Sequence, residues 1–346
     1  MSRIYLDHNA TTPLRAAARA AMLAAMDVVG NPSSVHAEGR AAKAIVERAR
    51  AQISDALGAA GADIVFTSSA TEAAALACAG RGFRGAAIEH DAVLSWIDPS
   101  LSVSSDGMVV PEEPHMSALQ LANSETGVLQ DVPDRLALSD LTQGFGKVPF
   151  GFDWLGCDMG LISAHKLGGP KGVGALVLKR GLDVAPRIIG GGQEMGRRSG
   201  TENVIGIAGF GAAAEATARD LAGGRWDEVA KLRNILENAL EAASNTTIFV
   251  GKGSRRLPNT SCFATPGWKG ETQVMRMDLA GFAISAGSAC SSGKVKSSTV
   301  LEAMGLGGVA ANAVRVSLGL ETTEDDVMRF AEVWAQKLKK HEARAA

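Results

Sequence analysis

Apolar and polar positions alternate in two distinct rhythms along this chain. From about residue 14 to 60 the spacing is helical: an alanine-rich run from Leu14 to Val29, a break at Gly30-Asn31-Pro32-Ser33-Ser34, then Ala37 to Leu57 with apolar and charged faces alternating. After this come short apolar stretches that end in polar residues. Asp63-Ile64-Val65-Phe66-Thr67 reads as a strand, Ser68-Ser69-Ala70-Thr71-Glu72 as a turn, and Ala73 to Ala79 as a helix. Further strands are expected at Ala86-Ala87-Ile88, 118–122 and 174–178. Strands alternating with helices predict an α/β fold with a mostly parallel sheet. Ligand chemistry in such sheets gathers at the carboxyl ends of strands, where Ser68, His90, Asn123, Asp140 and His165-Lys166 fall.

The C-terminal portion changes character. A helix from Trp226 to Ala243 precedes strand-like stretches at 246–250, 259–264 and 282–285. A Ser/Gly-rich loop from Ala286 to Ser298, a helix near Val300, a strand over 313–318 and a last helix from Thr323 complete the chain. This predicts a large domain over 14–225 and a smaller α+β domain formed by 1–13 with 226–346.

Composition narrows the function classes. With 346 residues and 46% hydrophobic content the chain can fill a sizeable core. A net charge of -2 argues against nucleic acid or an acidic surface as a partner held by bulk electrostatics. The N-terminus lacks an apolar signal region and no window approaches a membrane span, so a cytoplasmic protein is expected. Cys78, Cys157, Cys262 and Cys290 form no CxxC pair, so neither a zinc site nor a disulfide framework is expected.

Lys166 carries the most specific signal. It follows apolar Leu161-Ile162 and opens the glycine-rich Leu167-Gly168-Gly169-Pro170-Lys171-Gly172, the setting of an amine that forms a Schiff base with a cofactor. Asp140 upstream is either a solvated loop carboxylate or the group that keeps a pyridine nitrogen protonated. The Ser68 to Thr71 turn is either a plain helix cap or a phosphate cradle. His90 is an exposed loop histidine or a ring-stacking proton shuttle. Arg315, a charge inside the apolar Ala313 to Leu318, requires an anionic partner from protein or substrate. Cys290 lies in Gly287-Ser288-Ala289-Cys290-Ser291-Ser292-Gly293-Lys294, where access and nearby lysines favour a thiolate. Cys78 and Cys262 read as buried structural thiols.

Ala70-Thr71-Glu72, Glu89-His90, Asn123-Ser124-Glu125-Thr126-Gly127, Asp140-Leu141-Thr142-Gln143, Ser163-Ala164-His165-Lys166, Arg198-Ser199-Gly200-Thr201, Gly287 to Cys290 and Arg315 to Gly319 together resemble the cysteine desulfurases. The match extends from Tyr5-Leu6-Asp7 to Thr322-Thr323-Glu324. The resemblance implies the fold type I architecture of pyridoxal 5'-phosphate (PLP) transferases, with a sheet of the seven-stranded type, and a homodimer. It implies that Lys166 binds the cofactor, Asp140 pairs with its pyridine nitrogen, His90 stacks on its ring and Gln143 contacts its phenolic oxygen. Asn123 would lie beside cofactor and substrate. Ala70, Thr71, Ser163 and His165 would form the phosphate site, joined by Thr201 of the other subunit. Arg315 would clamp the carboxylate of L-cysteine, and Cys290 would take its sulfur as a persulfide and release alanine. The interval from Cys290 to Arg315 is similar to the long mobile loop of the subgroup that feeds iron-sulfur assembly, implying a scaffold or carrier protein as sulfur acceptor.

The stretches between Thr71, His90, Asn123 and Asp140 are shorter than is usual in that family; Ser124 stands where a second asparagine is common, and Leu141 where alanine is. Other PLP enzymes, such as an aminotransferase or a selenocysteine lyase, would share Lys166 and Asp140 without requiring Cys290. A non-catalytic binding module on a degenerate copy of the fold is the competing class.

Overall fold

The computed structural model describes residues 3–287 and 297–345. Strand β1 (Ile4–Tyr5) precedes two helices, α1 (Ala16–Met26) and α2 (Ala37–Leu57). In α2 the buried Ala42, Val46, Ala49, Ile53 and Leu57 recur three or four positions apart and form a single apolar stripe. Its first turn is capped by His36, whose ring accepts from the Gly39 N–H, and it stops at Gly58, which takes the left-handed conformation. The alternating pattern thus predicts α2 to the residue; α1 is shorter than the 14–29 run.

The middle of the chain runs β2 (Ala62–Thr67), α3 (Ala70–Cys78), β3 (Arg84–Ala86), α4 (Asp91–Leu94), β4 (Asp98–Leu101), β5 (Ser139–Asp140), α5 (Phe152–Leu155), β6 (Met159–Ser163), β7 (Gly174–Lys179) and α6 (Val204–Ala222). β2, β7, β6 and β5 are neighbours in that order. Parallel bridges Ala118↔Leu138 and Arg84↔Ser117 carry the sheet on through 117–121 to β3, which pairs with β4 in parallel. The expected seven-stranded arrangement is therefore present, mostly parallel, with β7 antiparallel to both β2 and β6. The short connection 164–173 holds no crossover helix, so β7 returns alongside β6 in the opposite sense. The strand placed at 86–88 lies two residues earlier, because the Glu89 N–H already bonds Ala86 O in a turn.

α6 packs against α1 and α2 through small residues. At Gly211 a side chain would come within 2.6 Å of the Ala49 Cα, so the helix pair needs glycine there.

The remainder comprises α7 (Arg225–Ala243), β8 (Ile248–Phe249), β9 (Thr260–Ala264), α8 (Gly270–Asp278), β10 (Phe282–Ala283), α9 (Thr299–Ala303), α10 (Gly307–Ala310), β11 (Ala313–Ser317) and α11 (Glu324–Ala345). β8, β9 and β11 form an antiparallel sheet, while β1 pairs with β10. Ile4 and Leu6 enter the same apolar cluster as Trp226, Leu236, Phe263, Trp268, Phe330 and Trp334. α11 is capped by Thr323, where its start is predicted, through bonds exchanged with Asp326.

One buried ion pair joins these parts. Arg256 donates from both terminal nitrogens to the Glu237 carboxylate on α7 at 2.8 and 3.0 Å, with both side chains almost wholly buried. Val128 bridges Arg256, and Leu257 N–H bonds Gly127 O, so the pair anchors the turn after Asn123. Glu237→Ala leaves Arg256 buried without its charge partner and is expected to cost about 3–5 kcal/mol in urea denaturation. Glu228→Ala, which breaks the exposed pair with Lys231, is expected to cost under about 1 kcal/mol. Equal losses would contradict this assignment.

Candidate active site

The carboxyl end of β2 leads into α3 through a capping box. Ser69 accepts from the Glu72 N–H, and the Glu72 carboxylate accepts from the Ser68 N–H at 2.7 Å. Capping and ligand binding are compatible here: the hydroxyl serves the helix, while Ala70 and exposed Thr71 begin the first turn, where backbone N–H groups point outward. Gly174 closes the floor. A side chain at Gly174 would lie 2.8 Å from the Ala70 nitrogen, so glycine lets β7 approach this turn. Burial works to raise the Glu72 pKa, but hydrogen bonds from Arg198 and Ser68 prevail and hold it below the usual carboxylate range. Arg198 thereby ties the loop before Thr201 to the cradle. A second tie is Glu194, buried in left-handed backbone, which takes two bonds from Arg50 and one from the Phe66 N–H. Thr201 itself is exposed and is not gathered with the other site residues.

β6 ends at Ser163, which pairs with Gly174, and the next turn presents His165 and Lys166. The Lys166 amine donates to the carbonyls of Asn9 at 2.6 Å and Ala10 at 3.0 Å. The N-terminal segment clasps this turn along its length: Thr12 bonds the carbonyls of His165 and Lys166, and Arg15 those of Leu167 and Gly168. His165 bonds Thr11, and burial, followed by the charges of Lys166 and Lys171, lowers its pKa to about 4. It is therefore a neutral imidazole at physiological pH.

Gln143 reaches the same point. Its side-chain nitrogen donates to Asn9 O at 3.0 Å, beside the Lys166 amine, and its oxygen accepts from the Lys147 amine at 2.8 Å. Asp140, at the end of β5 in register with Leu161, accepts from the Thr142 N–H. His90 caps α4, its Nδ1 accepting from the Ala92 N–H, which leaves the ring proton on Nε2. Glu89 beneath it is fully buried. Burial, then the charge of Asp140, pushes its pKa up to about 8 against the bond from the Gln120 N–H.

Asn123 braces the turns on either side of it. Its side chain is buried, donates to Ile88 O, and accepts from the N–H groups of Glu125 and Thr126 and from the Thr126 hydroxyl. It braces the Glu89-His90 turn from below.

Arg315 on β11 has the anionic partner its burial demands. Its Nη2 meets Asp7 Oδ1 at 2.7 Å and its Nη1 donates to Ser124 O at 3.0 Å. Ser285 donates to the other Asp7 oxygen. The Nε of this arginine, only 7% exposed, has no hydrogen-bond partner among the described residues. A buried unpaired donor is costly, and an incoming carboxylate would satisfy it. Cys290 lies outside the described residues. Cys78 and Cys157 are buried thiols whose pKa burial pushes up to about 12, and burial likewise raises that of Cys262 well above its ordinary value.

A cavity of about 600 Å³ reaches Lys166 and Lys147 and is lined also by Tyr5, His8, Thr12 and Trp226. Among the described residues no His/Cys/Asp/Glu cluster could hold a metal, and no helix is long and apolar enough to cross a membrane. Asp7, Asn9, Lys147 and Glu194 are site residues that sequence reasoning missed. Lys147 alone left a signal, as a lysine four positions after Gln143 within an apolar stretch.

This geometry fits PLP: a helix start free to take phosphate, a lysine amine, a carboxylate at a strand end and a neutral histidine with its proton on Nε2. A profile described as Aminotransferase class-V matches residues 4–95 and 100–330. A cysteine desulfurase of Cereibacter sphaeroides is 38% identical, covering 96% of this chain and 95% of its own. The cysteine desulfurase IscS 1 of Archaeoglobus fulgidus is 36% identical over 95% of each. Among solved structures, a NifS-like protein from Rickettsia africae superposes with a TM-score of 0.89 at 34% identity, covering 97% of this chain and 99% of that one. The protein SspA in complex with cysteine gives 0.76 at 26% identity, covering 92% and 100%. The chain belongs to the cysteine desulfurases of the class-V aminotransferase family, and its cofactor is PLP. The alignment with the Cereibacter protein runs over 371 positions against 346 residues, so that relative carries residues this chain lacks.

Glu89 makes a testable contribution to stability. Its pKa is raised from 4.5 to about 8, so the folded state holds a proton that the unfolded state releases between those values. Its stabilisation is complete below pH 4.5 and is lost as pH rises through about 8. Glu89→Gln, which keeps the bond from Gln120, is expected to gain in melting temperature relative to the parent as pH rises across that window. A difference independent of pH would show that Glu89 ionises normally.

Proposed function

We propose that the protein removes sulfur from L-cysteine, releasing L-alanine and leaving a persulfide on Cys290 that passes to an acceptor protein such as an iron-sulfur scaffold. The observation that carries this reading is Arg315: a buried arginine on β11, held by Asp7 and Ser124, whose Nε has no hydrogen-bond partner among the described residues. Its relatives named cysteine desulfurase, and the neighbour solved with cysteine, support the choice of substrate.

When bound, PLP supplies an electron sink that stabilises negative charge at the substrate Cα. Ala70, Thr71, Ser163 and His165 hold its phosphate, Asp140 keeps the proton on its pyridine nitrogen, His90 covers its ring, and Gln143 donates to its phenolic oxygen. Lys166, once released from the cofactor, is the base that moves the Cα proton. Arg315 fixes the carboxylate and so sets which substrate bond faces the lysine. The Cys290 thiolate attacks the substrate sulfur: a sulfur–sulfur bond forms, the carbon–sulfur bond breaks, and its electron pair stays with Cβ, which takes up a proton to give alanine. Sulfur transfer to the acceptor then restores the thiol.

The reading includes a homodimer in which Thr201 of one protomer completes the phosphate site of the other. The exposed Leu23, Met26, Val29, Val35, Ile189 and Met195 support it, because they are large apolar side chains that a partner would cover. It also divides the chain into the PLP-binding domain 14–225 and a smaller domain of 1–13 with 226–346, and places the protein in the cytoplasm, where thiolate chemistry stays reduced.

Purified protein incubated with PLP and cysteine is expected to form alanine and, with a reductant, an equal amount of sulfide. Lys166→Ala should lose turnover by at least about 10²-fold, and Cys290→Ala should bind PLP but form no enzyme persulfide. Alanine formed at the parent rate by either variant would overturn the assignment, as would transamination of cysteine without sulfide.

A further inference from the structure

Lys147 is buried to 4% exposure and meets no carboxylate within salt-bridge distance among the described residues. Its amine donates to Gln143 Oε1 at 2.8 Å and Asn9 Oδ1 at 3.1 Å. Burial drives its pKa well below the ordinary lysine value, and the positive charges of Lys166 and Arg315 push the same way. Its own charge lowers His8 in turn, after burial, to about 4. The carboxylate of this neighbourhood, Asp7, is engaged by Arg315 and Ser285. Such a lysine is expensive to keep, since a methionine would fill the same space without an amine to satisfy.

Its backbone is held to match. The turn after β5 bonds Phe145 N–H to Leu141 O and Lys147 N–H to Gly144 O, which stacks residue 147 over residue 143 on one face. Gly146 takes a φ of +75° and lies so close to α6 that a side chain there would run into Thr217. The Gln143 carboxamide then has one stable orientation. Asn9 O can only accept, so it requires the nitrogen, and the oxygen turns to Lys147, which donates in either protonation state. One hydrogen of that nitrogen goes to Asn9 O; the second remains.

We infer that Lys147 is a positioning residue of the cofactor site: by donating to Gln143 Oε1 it holds the carboxamide nitrogen, with its free hydrogen, as the donor to the phenolic oxygen of PLP. This rests on the assignment of Lys166 as the cofactor lysine. Without Lys147 the carboxamide loses its orienting donor, and the phenolic oxygen loses a partner that favours its negative form.

The test is a pH titration of the visible absorbance of the PLP-loaded protein, for the parent, Lys147→Met, Gln143→Met and the double variant. Methionine matches the lysine stem and removes a costly buried amine, so folding should survive; Lys147→Leu serves as a second variant with the same expectation. Lys147→Met is expected to keep PLP bound and to raise the midpoint by about half to one unit, the size of one hydrogen bond. Gln143→Met should give a similar rise, and the double variant no more than either alone, because Lys147 acts through Gln143. An unchanged midpoint in both Lys147 variants, or shifts that add in full, would overturn the inference and leave the assignment of Lys166 standing. A parent protein that shows no PLP absorbance would sink both.

Discussion

The carbonyl of Asn9 is the point on which the site turns. It accepts from the Lys166 amine and from the Gln143 carboxamide, so the chain's second element of chemistry after β6 and the turn after β5 meet on a single oxygen. The Asn9 side chain takes bonds from Lys147 and Asn259 and gives them to Ser124 and Thr260, reaching the antiparallel sheet that carries Arg315. Each half of the molecule positions part of the site, and the N-terminal segment sets the distance between them. That segment has little regular structure of its own; it is ordered by the bonds it makes, from Asp7 on Arg315 to Arg15 on Leu167.

The balance of charge in this region explains what it can hold. Lys166 and Arg315 bring positive charge to a neighbourhood whose Asp7 is already paired, both nearby histidines, His8 and His165, are held neutral, and the Lys147 amine is pushed toward its neutral form. The remaining charge is positive and shielded from water, a setting that suits an anionic ligand. Glu89 fits the same logic from the other side. Buried and sharing its surroundings with Asp140, it keeps its proton to higher pH than an exposed glutamate would.

Much of this was legible in the chain itself, and the exceptions have physical causes. α2 declared itself through its 3.6-residue stripe and its terminal glycine, and the parallel sheet through short apolar runs ending in polar residues. Lys166 and Arg315 stood out as charges in apolar settings, for which solvent cannot account. β7 runs against its neighbours because the loop before it is too short for a crossover, a constraint of length rather than of residue type. The bonds by which Asn123 braces the Glu89-His90 turn were not legible, because they join residues 88, 123, 125 and 126 across the fold. Asn9 escaped, and Lys147 showed only as a lysine in an apolar stretch, because their meaning lies in contacts between residues 9, 143, 147 and 259. The arginine clamp was half legible: burial demanded an anion, but only the fold shows that Asp7 supplies one and that Nε is left over.

Two lysine amines lie close to Asn9 and are proposed to have separate duties: Lys166 to bond the cofactor and Lys147 to orient its neighbour. Borohydride reduction of the PLP-loaded protein, followed by peptide mapping of the pyridoxyl label, distinguishes them directly. The label is expected on Lys166 and not on Lys147. A label on Lys147, or one divided between the two, would contradict that division of duties.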